Sequence, residues 1–142
     1  MNTYFDTSAI VKLVVVEEGS EAAGALWDAS DVAITSRLSY VEARAALAAA
    51  KRARRLSDRR LEESKQSLEG RFQELDLVEV TPLIAWSAGE LAEKFALRGY
   101  DAIQLASALA LDTDDVVLVT WDRELAGAAR EAGFDLAGIP LE

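Results

Sequence analysis

Val116-Val117-Leu118-Val119 is an unbroken run of apolar, mostly β-branched residues, with Asp115 before it and Thr120-Trp121-Asp122 after it. A strand with no polar position has to be covered on both faces, which points to a parallel sheet held between helical layers. Thr3–Phe5, Val32–Thr35 and Leu77–Val80 are shorter runs of the same kind, and Phe134–Leu136 is a weaker one. Helical stretches separate them: Ser8–Val16, Ser20–Ala29 with Ser20 as its cap, the Ala-rich Arg37–Arg55, and Ser57 to about Leu75. Thr81-Pro82 opens the next with proline at the first position, running to about Leu97 and stopping at Gly99; Asp101–Leu111 and Asp122 to near Gly133 follow. This alternation predicts a three-layer α/β/α domain, residues 1–142, with a four- to five-stranded, mainly parallel sheet. Only two prolines interrupt the chain and no segment reads as an interdomain linker.

Composition narrows the chemistry. The 142 residues include no histidine and no cysteine. There is thus no imidazole base, no Ser-His-Asp triad, no disulfide and no usual zinc ligand set. Proton and metal chemistry would fall to carboxylates. No apolar run approaches the roughly 20 residues of a transmembrane helix, so the expected location is cytoplasmic, away from membranes. The net charge is −10, but residues 44–65 hold eight basic side chains against three acidic ones, a local +5 that leaves −15 elsewhere.

In a doubly wound sheet, ligands bind beyond the carboxyl ends of the strands. Four acids are placed to gather there. Asp6 directly follows the first strand, and Asp122 follows the strand Val116–Val119, two residues on, in Thr120-Trp121-Asp122. Asp101 opens an apolar helix, and Glu42 lies near the start of the helix after the second strand. Each alone also reads as a helix cap, and Ser39 with Glu42 has the spacing of a capping box. Together they would repel one another by up to about 4 kcal/mol per close pair at an effective dielectric near 20. Such crowding is tolerated around a hard divalent cation, Mg²⁺ or Mn²⁺, which suits a site without histidine or cysteine. A cation of that kind activates water and steadies a leaving oxygen, as phosphodiester hydrolysis requires.

Four blocks carry a family resemblance. Tyr4-Phe5-Asp6-Thr7-Ser8-Ala9-Ile10-Val11-Lys12-Leu13 resembles the opening of PIN-domain proteins. The stretch Ser36–Leu47 around Glu42 is similar to their second acidic motif, Leu97 to Ala106 around Asp101 to the third, and Thr120-Trp121-Asp122-Arg123-Glu124-Leu125 to the fourth. The nearest subgroup is the VapC-type toxins of type II toxin–antitoxin pairs. The resemblance implies a Mg²⁺- or Mn²⁺-dependent endoribonuclease that cuts single-stranded regions of RNA by in-line attack of activated water, leaving a 3′-hydroxyl and a 5′-phosphate. It implies that Asp6, Glu42 and Asp101 bind metal, with Asp122 as a fourth, more variable acid, and that Ser8 and Thr120 are supporting hydroxyls. A homodimer and a VapB-type antitoxin whose tail blocks the cleft come with it. Many relatives carry His where this chain has Gln104, read here as a supporting group one turn past Asp101.

Several features have two readings. The basic run Lys51–Arg60 either grips phosphates outside the acidic cleft or is a solvated hairpin with Arg59 and Arg60 facing Glu62 and Glu63. Trp27 and Trp86 read as structural, while Trp121 is a candidate for stacking a base. Leu38, Val41, Ala45, Leu47 and Ala48 read as a packed helix face that also suits a dimer or antitoxin contact. The rival functions are a catalytically silent PIN-like module that binds RNA or protein, and a metal-dependent phosphatase. The phosphatase reading wants a second Asp where Ser8 stands. A receiver domain is disfavoured further by Thr81-Pro82 after the third strand and by the lack of any lysine beyond Lys94.

Overall fold

Direction of travel along the sheet decides which face each helix covers. The computed structural model describes residues 1–140, so positions 141 and 142 of the expected domain lie outside the described residues. Among the described residues there are five strands, all parallel, in the order β3-β2-β1-β4-β5. They are β1 (Asn2–Phe5), β2 (Val32–Ser36), β3 (Asp76–Val78), β4 (Val116–Thr120) and β5 (Asp135–Gly138). The chain steps outward from β1 to β2 and β3, then returns past β1 to β4 and β5. Parallel crossovers are right-handed, so helices made on the outward leg and on the return leg fall on opposite faces.

The packing shows this division. The outward helices are α1 (Thr7–Val14), α2 (Ser20–Asp28), α3 (Leu38–Arg52) and α4 (Asp58–Glu74). Their core joins Ile10, Ala43, Leu47 and Leu68 to Phe5 and Val119 of the sheet. The return helices are α5 (Pro82–Phe95), α6 (Gly99–Leu109) and α7 (Arg123–Glu131). Their core joins Ile84, Leu97, Leu105 and Leu125 to Tyr4, Ile34 and Leu118. Adjacent strand residues thus serve opposite faces: Tyr4 one and Phe5 the other, Leu118 one and Val119 the other.

Local chemistry sets the helix ends. Asp6, Ser57, Thr81 and Asp122 each cap a helix by accepting a backbone N–H. Ser20 does not cap α2. Gly19, at φ +93°, precedes that helix, and a Cβ there would meet Lys12 and Trp121 at under 3 Å. The Ser20 hydroxyl instead donates to the Val15 carbonyl (2.8 Å), tying α2 back to the end of α1. The Ser39–Glu42 capping box does not form either. Ser36 takes over, accepting the Leu38 N–H at 3.1 Å, so Ser39 and Glu42 both lie inside α3. Helix α3 also ends at Arg52, three residues before the expected Arg55.

Two expected burials are corrected. The covered stripe of α3 is Ser39, Ala43, Leu47 and Ala50, whereas Val41 and Ala45 of the expected face lie in solvent. The Tyr40 ring packs edge-on against Phe72 of α4 and helps set the helix rotation. Trp86 is 67% exposed, because the core of α5 is taken by Ile84 and Ala88. Trp27 does pack inward, edge-on to Phe5.

Candidate active site

All four acids line one cleft of about 770 Å³ at the carboxyl edge of the sheet. Asp6 comes from the end of β1 and Asp122 from just past β4, the neighbouring strands between which the winding reverses. Glu42 reaches in from α3 on one face and Asp101 from the first turn of α6 on the other. Thr7, Ser8, Lys12, Gln104 and Trp121 share the lining.

Each carboxylate has its own partners. Asp6, 3% exposed, accepts from the Ala9 N–H (2.9 Å) and the Ser8 hydroxyl (2.7 Å) through Oδ1, and from the Thr120 hydroxyl (2.5 Å) through Oδ2. Burial pushes its pKa from 3.8 up to about 6, against the pull of those three bonds, and the charge of Asp122 adds to the rise. Glu42 accepts through Oε1 from Thr7 (2.8 Å) and from the Gln104 amide (3.0 Å). Asp101 accepts from Arg98 Nε (3.1 Å), and the same guanidinium reaches Asp122 Oδ2 at 3.0 Å. Burial first, then Asp122, raises the Asp101 carboxyl above its usual range, and Arg98 works against that rise. Asp122 Oδ1 accepts the Leu125 N–H as the cap of α7.

The Ser8 and Thr120 hydroxyls both bond to Asp6, one on each carboxylate oxygen. Gln104 is more deeply involved. It is 2% exposed; its Nε2 donates to Glu42, Ser39 (2.9 Å) and Thr7 (3.1 Å), while its Oε1 accepts from the Tyr4 phenol at 2.6 Å. Turned end for end, the amide would set its oxygen against the Glu42 carboxylate, so Glu42 and Tyr4 together fix its orientation. Burial keeps the Tyr4 phenol protonated far above its ordinary range, so it remains a donor.

Four of these partners are not among the site residues expected from the sequence: Tyr4, Thr7, Ser39 and Arg98. Arg98 had a visible signal, since it stands three residues before Asp101 and could pair with it around one helical turn. Its reach to Asp122 depends on the start of α6 lying beside the end of β4.

The donor set suits a hard divalent cation: oxygens only, negative charge in a partly buried cleft, and two carboxyls whose ionisation is opposed by burial and like charge. As they stand, no three acids among the described residues close round one point tightly enough to hold an ion together. The free oxygens nearest that role are Glu42 Oε2 and Asp101 Oδ1, which have no partner in the hydrogen bonds above.

A model of the PIN domain matches residues 3–131. Ribonuclease VapC45 and Ribonuclease VapC49, from two strains of Mycobacterium tuberculosis, are each 45% identical over 139 residues, covering 98% of this chain and 96% of theirs. The chain belongs to the PIN-domain family. Its fold is shared with Mycobacterium tuberculosis VapC20, described as a sarcin-ricin loop cleaving toxin (TM-score 0.73, 17% identity, 96% of this chain and 98% of that one). It is also shared with VapBC2 from Rickettsia felis bound to a promoter DNA fragment (TM-score 0.65, 15% identity, 96% and 98%). In this PIN domain the matched region contains all four acids, together with Arg98 and Gln104.

Proposed function

We propose that this chain is a divalent-metal-dependent endoribonuclease that cuts single-stranded regions of RNA, and that it is the toxin of a toxin–antitoxin pair. The observation that carries this is the meeting, in one cleft, of carboxylates from four elements spread over the chain, in a protein with no imidazole. Relatives named as VapC ribonucleases support it.

Asp6, Glu42 and Asp101 would hold Mg²⁺ or Mn²⁺, with Asp122 as the fourth acid. When bound, the cation supplies an acidified water and neutralises charge on the leaving oxygen. The remaining work belongs to the side chains. Ser8 and Thr120 keep the Asp6 oxygens directed into the cleft. Thr7 and Gln104 hold one oxygen of Glu42 and leave the other free. Arg98 balances Asp101 and Asp122, which reduces the cost of bringing two negative groups together before a substrate arrives.

A VapB-type antitoxin would block this cleft, and a homodimer would use the exposed apolar residues Val80, just before α5, and Leu83 and Trp86 near its start. The neighbours solved as VapBC and FitAB assemblies support an antitoxin partner. Among the described residues no helix is long and apolar enough to cross a membrane.

The test is direct. Purified protein is incubated with structured RNA in Mn²⁺ and in EDTA. Metal-dependent cutting in single-stranded regions, abolished by Asp101→Asn with the fold retained, supports the ribonuclease. Absence of cutting with every divalent metal tried leaves a PIN-like binding module instead.

A further inference from the structure

The positive charge of residues 44–65 is only partly accounted for within the fold. Lys51 pairs with Asp58, Arg59 with Glu63 and Lys65 with Glu62. Lys51 and Arg52 also sit in the last turn of α3, where a cation is favoured by the helix dipole. Arg54 and Arg55 lie beyond that turn, exposed, with no ion pair among the described residues.

The backbone gives no reason for arginine at position 54. Helix α3 closes with the Arg54 N–H on the Lys51 carbonyl (2.9 Å) and the Arg55 N–H on the Ala50 carbonyl (2.8 Å). This closure puts Arg54 in the left-handed region at φ +61°, a position where glycine is the unstrained choice. Arg55 meanwhile lines the same cleft as Asp6, Glu42, Asp101 and Asp122, beside Leu56. From Glu42 to Ala50 the cleft follows α3 for eight residues, about 12 Å at a rise of ~1.5 Å per residue. That is the length of no more than about four nucleotides at the ~3.4 Å spacing of a stacked strand. A cleft whose chemical end is acidic repels phosphates, so an anionic polymer needs a cationic hold nearby.

Resting on the ribonuclease reading, we propose that Arg55, in the lining of the cleft, and Arg54, next to it in the chain, grip the backbone of single-stranded RNA a few nucleotides from the bond at the acids. Binding of a labelled, unstructured oligoribonucleotide to the full chain carrying Asp101→Asn, followed by anisotropy over a KCl series in Mg²⁺, tests this. Each lost phosphate contact on a single strand flattens the slope of log K against log[salt] by about 0.7. Arg54→Gln with Arg55→Gln should therefore flatten it by about 1.4. Arg59→Gln with Arg60→Gln removes the same charge from the same hairpin and should leave the slope unchanged. Arg54→Gly, which relieves the left-handed strain, should melt at a higher temperature yet still flatten the slope by about 0.7, separating binding from folding. Equal slopes in all variants, or equal losses in both double variants, overturn the proposal and leave the ribonuclease reading standing, with the arginines free for an acidic protein segment. Failure of the parent to bind RNA at any salt concentration, with no cutting by the wild type, overturns both.

Discussion

The two ends of the cleft are built on opposite terms. At the acid end every carboxylate has a named partner, and Gln104 alone joins four other residues into one buried network. At the arginine end, Arg54 and Arg55 are solvated and make no ion pair among the described residues. Buried polar groups in a low dielectric are costly unless satisfied, and once satisfied they are rigid. Exposed cations keep their rotamer freedom and their hydration. The difference suits positioning at one end and capture at the other.

The contrast can be attacked at its strongest point first. Asp101→Asn should lower cleavage by about 10³ or more with the circular dichroism spectrum unchanged, since a bound metal contributes several kcal/mol to the transition state. A milder loss would mean the acid end is not where the chemistry happens.

Asp6→Asn should separate function from stability. The folded-state pKa of Asp6 is raised from 3.8 to about 6, so folding favours its protonated form. That contribution is fully present below about pH 4 and is lost as pH rises through 6. In EDTA at pH 8 the Asn variant should thus be more stable than wild type by up to about 3 kcal/mol, with the gain vanishing near pH 4. Thermal melts at the two pH values read this, and an equal effect at both would show that Asp6 ionisation is not the cause.

Gln104→Met should weaken Mn²⁺ binding about 10–100-fold, the usual effect of losing a group that orients a metal ligand. Calorimetric titration of Mn²⁺ checks it. A lower melting temperature with unchanged Mn²⁺ affinity would reduce Gln104 to a core residue. The smallest effect belongs to the arginine end, where Arg54→Gly should stabilise the chain by about 1 kcal/mol in denaturant titrations. A loss of stability there would show that arginine holds the turn and not a ligand.

How legible all this was in the sequence depends on the range of the interaction. The strands were readable because β-branched apolar runs report burial directly, as Val116–Val119 does. Caps at Asp6, Ser57, Thr81 and Asp122 were readable because a cap is a local bond. Ser39 and Glu42 misled because their spacing suits a capping box and a helix interior equally. Ser36 takes the start of α3 instead, and inside the helix both side chains meet Gln104 of α6. Trp86 and Val41 sit at apolar spacing on their helices, but spacing does not say whether anything lies opposite. The four acids line one cleft, but only Asp6 and Asp122 follow directly on a strand in the sequence, and the bonds made by Tyr4, Thr7 and Arg98 depend on how α3 and α6 pack over the sheet.

Thr120 ends β4, and its hydroxyl clamps Asp6 across 114 positions of sequence. Its carbonyl lies so near Gly138 that a Cβ there would come within 2.2 Å, so β5 fits flush against it. Asp6 is held on one oxygen by its own helix start, and on the other only once β4 has paired with β1.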